Sequence, residues 1–400
     1  MKILLRRVAG FAMLPGLSML ASLVLLPLIA HFDGAAGWTG MALGQSVGAL
    51  VSLVGGLAWP TVGAQRIVEA EDADTRRRIF AVSLMSRGPL IALLATVALP
   101  AVWWLAAPTQ RLSTACFLTA TSLNGLTASW YYAGTGSPRH LVVNEGITRF
   151  AGYALAIPAV IISNSTLSYA ALNLVFVIVA IGLNYRTIFG SRGMPHVGWA
   201  QVREVYQVHF LGSLARLAGS AHSYLPTSLL SATAPSVVPL FTAIDNVYKS
   251  GCNAVDFLPS ALIEWMQTAE TNAHRRKVVA ITVCMVIASL VFFGWQLIGP
   301  ALMRFLYQGV VTFGPVEILA IGASVALALL VDALELLDLV PRHGENLVFT
   351  TELVVSLAGI IAVVPMALVF GGIGAFATYA IASGVKLSIF AGQRFLESRR

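Results

Sequence analysis

Apolar residues along this chain come in long blocks separated by short polar stretches. A helix that crosses a bilayer needs roughly 20 predominantly apolar residues. About twelve blocks meet that length, near 8–31, 38–62, 80–107, 112–134, 141–163, 167–189, 205–231, 236–262, 278–302, 314–340, 347–370 and 372–391. They are numbered here as spans 1 to 12. The ninth and tenth, and the eleventh and twelfth, are the least clearly separated. The first block begins like a signal peptide, with Lys2, Arg6 and Arg7 before the apolar run. Its apolar part passes twenty residues without a small-residue cleavage site and reads as a retained first span.

Composition supports the pattern. Of 400 residues, 57% are hydrophobic and 11% charged, against about 25% charged in a soluble globular protein. Mean hydropathy is +0.80. So much apolar surface has no place to go in water, and the expectation is an all-α integral membrane protein of about 12 transmembrane helices. The three cysteines, Cys116, Cys252 and Cys284, lie in apolar runs. Their odd number and spacing give neither a disulfide framework nor a metal site.

The net charge of +7 would raise nucleic acid as a partner in a soluble protein, but here topology accounts for it. Cytoplasmic loops collect Lys and Arg. With the N-terminus inside, the inner segments hold Lys2, Arg6, Arg7, Arg66, Arg76, Arg77, Arg78, Arg139, Arg186, Arg192, Arg203, Arg275, Arg276, Lys277, Arg342, Arg394, Arg399 and Arg400. The outer segments hold Arg111 and Arg304, and the remaining five basic residues fall within spans. Both termini are therefore expected in the cytoplasm, and nucleic acid is not an expected partner. The stretch "TASWYYAGTGSPRH" (Thr127 to His140) fits an interfacial turn. Trp130, Tyr131 and Tyr132 would sit at headgroup level, Gly134, Gly136 and Pro138 would end the helix, and Arg139 would hold the inner side.

The longest interior polar stretch, Tyr185 to Glu204, falls at the midpoint and reads as a linker. The halves echo one another: Pro60 and Pro259 are 199 residues apart, as are Arg76 and Arg275. Repeats of this kind are common in transporters whose site lies between two lobes. The expected organisation is an N-terminal six-helix lobe (1–190), a cytoplasmic linker (191–204) and a C-terminal six-helix lobe (205–400) around a central cavity.

Several stretches together resemble the polysaccharide flippases (O-antigen and exopolysaccharide repeat-unit flippases, Wzx-like) of the multidrug/oligosaccharidyl-lipid/polysaccharide (MOP) exporter superfamily. They are the first span with Pro15 and Pro27, the glycine-rich "GMALGQSVGALVSLVGG", "WYYAGTGSPRH" closing span 4, and "FTAIDNVYKSGCNAVDFLPSALIEWMQ" in span 8. The resemblance lies in layout and covers nearly the whole chain. It implies a two-lobed transporter of the bacterial inner membrane that moves undecaprenyl-pyrophosphate-linked oligosaccharide from the cytoplasmic to the periplasmic leaflet. It also implies a polysaccharide polymerase and chain-length proteins as partners beside membrane lipid. No cofactor is expected, and H+ or Na+ is the expected coupling ion if a gradient drives transport. The chain is short for the family, and spans 10 and 11 are more acidic than its pattern.

Ionisable residues inside a bilayer cost about 2.5–3.5 kcal/mol each on insertion scales and normally face a bundle interior or a wet cavity. Arginine suits a pyrophosphate because its guanidinium binds phosphate oxygens in bidentate, permanently charged geometry. The expected anion-binding set is Arg87, Arg149, Arg216, Lys249 and Lys386; Glu145, Asp245, Asp332 and Glu335 are expected to couple ions or balance charge. Glu145 with Arg149, and Asp245 with Lys249, are four apart and could equally neutralise each other locally. Asp338 with Arg342 reads as a structural pair. Gly40, Gly44 and Gly48 repeat every four residues, the small-xxx-small signature of close helix packing.

Nothing in the sequence points to catalysis. There is no GxSxG, HExxH or Walker loop, and the seven histidines are scattered. An enzyme is not expected. A cation-coupled drug or metabolite antiporter of the same superfamily is the nearest alternative. A membrane-embedded polysaccharide polymerase or ligase is disfavoured by the short outer loops.

Overall fold

The computed structural model describes residues 2–256, 258, 259, 262, 273–339 and 345–398; side chains are described for these except 2–23, 61, 138, 209–216, 218, 219, 273, 274, 345, 346 and 394–398. The described chain is helical. The first helix, α1 (Lys2–Gly55), and the last, Glu345–Ser398, each run 54 residues. A straight helix of that length would measure about 81 Å, far more than the ~30 Å hydrocarbon core. Each is broken by one glycine, Gly34 (φ 57°, ψ −152°) and Gly371 (φ 68°, ψ −155°). Residues eight apart on a straight helix are separated by about 12 Å along its axis. Here a Cβ on Gly37 would lie 2.8 Å from Ile29, and one on Gly374 would lie 2.3 Å from the Met366 carbonyl. The chain folds back at both glycines, so each long helix is two membrane spans with one residue between them.

All twelve expected spans have helical counterparts. After α1 (spans 1 and 2) come α2 (Trp59–Glu69) and α3 (Ala73–Leu105, span 3). Span 4 is divided into α4 (Arg111–Leu123) and α5 (Ser129–Gly134). Span 5 is α6 (Pro138–Leu141), a π-helical stretch (Val142–Ile147) and α7 (Thr148–Ser163). Spans 6, 7 and 8 are α8 (Thr166–Phe189), α9 (Trp199–Thr233) and α10 (Val238–Val255). Span 9 is α11 (Ala273–Tyr307), and span 10 is α12 (Pro315–Leu334), continued by a second π-helical stretch (Glu335–Leu339). The two arms of α13 (Glu345–Ser398) are spans 11 and 12. Ile162, Trp104 and Leu297 are more than four-fifths exposed. Outward-facing apolar side chains of this size suit lipid, and the protein is a multi-pass membrane protein.

The chain forms two compact units, residues 20–231 and residues 1–19 with 232–400. In the first unit the glycine stripe of span 2 lies against α4: a Cβ on Gly44 would come within 2.4 Å of the Thr114 carbonyl, and one on Gly48 within 2.6 Å of the Leu118 carbonyl. The core nearest the arginine-bearing loops is aromatic, with Trp59, Phe80, Trp130, Tyr132 and Phe189 buried together with Val205. Trp130 packs on Trp59 at 5.4 Å and on Phe80 at 5.7 Å. Trp130 and Tyr132 are 4% and 2% exposed and so pack into this core instead of facing outward. The break in span 4 sets α5 against α2, where Gly134 meets the Ala64 carbonyl, and this carries both rings inward. Val205 shows that the start of α9 belongs to the same core, and the Tyr206 hydroxyl donates to the Ser86 carbonyl of α3 at 2.7 Å. Ser86 lies in the turn that Pro89 opens, since proline has no N–H to close it.

In the second unit a core of Ala280, Cys284, Ala333 and Leu337 joins α11 to span 10. The Tyr307 hydroxyl donates to the Ala243 carbonyl at 2.9 Å, tying α11 to α10. Asp338 is paired with Lys277. Its expected partner, Arg342, lies outside the described residues.

Asp72 starts α3, accepting from the Thr75 backbone N–H at 2.6 Å and the Thr75 hydroxyl at 2.9 Å. These bonds favour the ionised form and hold its carboxyl below the ordinary range. A folded-state pKa below the unfolded one gives stability that is present above the ordinary carboxylate pKa of about 3.9 and is lost as pH falls through the folded value. Asp72→Asn keeps a capping oxygen without a titrating proton. Its melting temperature in detergent, followed from pH 6 to pH 3, is expected to fall less steeply than that of the wild type.

Candidate functional site

Span 4 is interrupted deep in the first unit. After Leu123 the chain tightens into a 3₁₀ turn (Asn124–Leu126), extends at Thr127 (φ −56°, ψ 154°) and resumes as α5. Such a break frees backbone groups that helical bonding would satisfy. In a bilayer each unsatisfied group costs several kcal/mol, so irregular backbone survives there only when protein or water meets it.

Charged side chains meet it here. Arg87 of α3 is 0% exposed. Its Nη1 donates to the Gly125 carbonyl at 2.8 Å and the Thr127 carbonyl at 3.3 Å, and its Nε to the Ser83 carbonyl at 3.2 Å. The guanidinium lies over the Trp130 ring, 5.6 Å from its centroid. From span 5, Glu145 Oε1 accepts the Ala128 N–H at 2.9 Å and the Asn184 amide of span 6 at 3.1 Å. Asn184 in turn accepts from the Tyr132 hydroxyl at 2.9 Å, and that hydroxyl accepts from Asn144 at 2.9 Å. The π-helical stretch in span 5 buries Asn144 and Glu145 side by side. Arg149, one turn on and partly exposed, donates through Nη2 to the Asn124 side chain at 3.1 Å. Spans 3, 4, 5 and 6 thus converge on one broken turn, with a cation and an anion on its freed groups and a second cation at its first residue.

The second unit carries its own embedded charges. Lys249 pairs with Asp245 one turn earlier at 2.6 Å, the carboxylate being 2% exposed. Tyr379 stacks on Tyr248 at 5.3 Å. Lys386 of span 12 pairs with Glu352 of span 11, which also accepts from Ser356 at 3.2 Å. Asp332 and Glu335 of span 10 both feel the charges of Glu352 and Lys386, and Asp332 also that of Asp256. Among the described residues no group of three or more His, Cys, Asp or Glu could hold a metal ion.

No protein-family model matches the sequence, and no curated protein matches it. Solved structures do match, over almost the whole chain. A multidrug resistance MATE family transporter of the MOP superfamily, in an inward-facing conformation, aligns with TM-score 0.62 at 14% identity, covering 96% of this chain and 94% of its own. The lipid II flippase MurJ, in an inward closed conformation, aligns with TM-score 0.64 at 13% identity, covering 96% and 87%. A eukaryotic MATE transporter, AtDTX14, aligns with TM-score 0.55 at 14% identity, covering 98% and 96%. The chain shares the fold of these solved transporters.

Within this shared fold the nine site residues singled out from sequence are divided between the two units. Arg87, Glu145 and Arg149 come together around the break in span 4. Glu145 and Arg149 reach different parts of that break, and neither of the bonds above runs between them. Asp245 and Lys249 do form their local pair. Lys386 pairs with Glu352, 34 positions earlier, and Asp332 and Glu335 of span 10 lie within electrostatic reach of that pair. Arg216 is in α9, but its side chain lies outside the described residues. Asn124, Asn144 and Asn184 were not singled out from sequence, and Tyr132 only as an interfacial aromatic. The three asparagines did leave a signal, because amide side chains inside apolar spans seek partners across helices.

Proposed function

We propose that the protein is a flippase that carries undecaprenyl-pyrophosphate-linked oligosaccharide repeat units from the cytoplasmic to the periplasmic leaflet by alternating access, for surface polysaccharide. It works in the bacterial inner membrane with both termini in the cytoplasm, and a polymerase and chain-length proteins take up its product. The observation that carries this reading is Arg149. A permanently charged group is held partly exposed within the span region by an uncharged amide, which leaves its charge for an anion. The lipid II flippase among the structural neighbours supports the substrate class. Arg149, Lys249 and Arg216 are proposed to meet the pyrophosphate and its sugars, with Arg87 and Lys386 adding to the positive field. Glu145 and Asp245 balance charge, and Asp332 and Glu335 couple transport to H+ or Na+.

The second reading, a cation-coupled antiporter, draws on the acids gathered around Lys386, since cavity acids suit a cationic drug. A deletion in the native bacterium separates the two. Single repeat units stranded on the cytoplasmic leaflet, with surface polymer lost, are expected for the flippase. An unchanged polysaccharide profile would favour the antiporter. Repeat units that reach the periplasm unpolymerised would point to a polymerase or ligase.

A further inference from the structure

We propose that Asn124 is a positioning residue, which aims Arg149 at the phosphate oxygens of the transported lipid; this rests on the flippase reading above. Asn124 opens the 3₁₀ turn that breaks span 4. The turn cannot drift, because Arg87 holds the carbonyls of Gly125 and Thr127 while Glu145 holds the N–H of Ala128. Asn124 is thus fixed by a cation and an anion from two other spans, and its side-chain oxygen fixes one nitrogen of Arg149 at 3.1 Å. A guanidinium has five N–H donors in a rigid fork. One is occupied by Asn124, and those that remain can take phosphate oxygens in a bidentate bond. An uncharged partner suits this task. It orients the fork without cancelling the charge, whereas a carboxylate would orient it and compete with the substrate. Glu145, four residues earlier, is kept from that role by its bonds to Ala128 and Asn184. Discontinuous helices that supply polar groups near the bilayer midplane are a general way for transporters to build a substrate site.

The test is flipping of a fluorescent undecaprenyl-pyrophosphate disaccharide by the purified full chain in proteoliposomes, with KM and kcat measured separately. Asn124→Ala leaves Arg149 charged but loosely aimed, and is expected to raise KM about tenfold, the equivalent of one lost charge-assisted bond. Asn124→Asp keeps the aim but cancels the charge, and is expected to raise KM more than Asn124→Ala does. In an Arg149→Gln background Asn124→Ala is expected to have no further effect on KM. Equal effects with and without Arg149, or an Asn124→Asp protein with wild-type KM, would overturn the proposal while leaving the flippase reading intact. A wild type that does not move this lipid would overturn the reading and the proposal together. Should Asn124→Asp not fold, Asn124→Ala in the two backgrounds decides the same point.

Discussion

Arg87→Met is expected to lower stability by about 3–5 kcal/mol, because two or more buried carbonyls lose their donor and each unsatisfied group costs about 1–3 kcal/mol. Methionine has a similar reach but no donors. The carbonyls of Gly125 and Thr127 lose the nitrogen that meets them, and Glu145 loses the cation that it faces. The Trp130 ring also loses the guanidinium that lies over it. Glu145→Gln should be milder, because a glutamine oxygen still accepts the Ala128 N–H. The double variant Arg87→Met with Glu145→Gln removes both charges, and is expected to be less destabilised than the sum of the two single changes. Melting of detergent-purified protein, followed by size-exclusion chromatography, reads all three. Strict additivity would show that the two charges act independently and that the break in span 4 is not held by them jointly.

Gly44→Leu is expected to prevent folding into the native span 2–span 4 contact. The first carbon added would already lie 2.4 Å from the Thr114 carbonyl and 2.9 Å from the Phe117 side chain. The nearer obstacle is backbone, which cannot rotate aside. Even Gly44→Ala is expected to cost about 1–3 kcal/mol, as overpacking does. Gly182 in α8 is the control, because a Cβ there would meet nothing within 4 Å. Gly182→Ala should be stabilising by about 0.5–1 kcal/mol, since alanine loses less backbone freedom in a helix. Opposite shifts in melting temperature for the two alanine variants are the expected result. Equal shifts would mean that the stripe spaces residues without setting the distance between helices.

These two cases mark what was legible in the sequence. The twelve spans could be read because apolar block length is a one-dimensional property, and the stripe of Gly40, Gly44 and Gly48 because helical packing repeats every four residues. The embedded charges could be read as costly, but their partners could not. Arg87 reaches carbonyls 38 and 40 positions away, and Lys386 reaches a carboxylate 34 positions away, and only tertiary packing sets such distances. The break in span 4 was hidden by the chain's apolarity, although Asn124 and Gly125 punctuate it. With the break unseen, nothing in the sequence showed that α5 turns Trp130 and Tyr132 into the core. The π-helical stretch in span 5 was equally hidden. It brings Asn144 and Glu145 inward together, where the i, i+4 spacing of a plain helix offered a local Glu145–Arg149 pair as one of two alternatives.

The single-residue reversals at Gly34 and Gly371 bear on how the protein can be labelled. Loop tips usually accept tags and inserted sequences because their backbone is exposed and loosely bonded. At these two glycines no tip exists, only one residue in a left-handed conformation between two packed helical arms. An epitope, cleavage site or fluorescent domain inserted at either would have to pry apart two neighbouring spans. The run from Ser191 to Gly198, outside any span, with exposed residues at Ser191, Arg192, Met194 and His196 and none buried, is the place to put one.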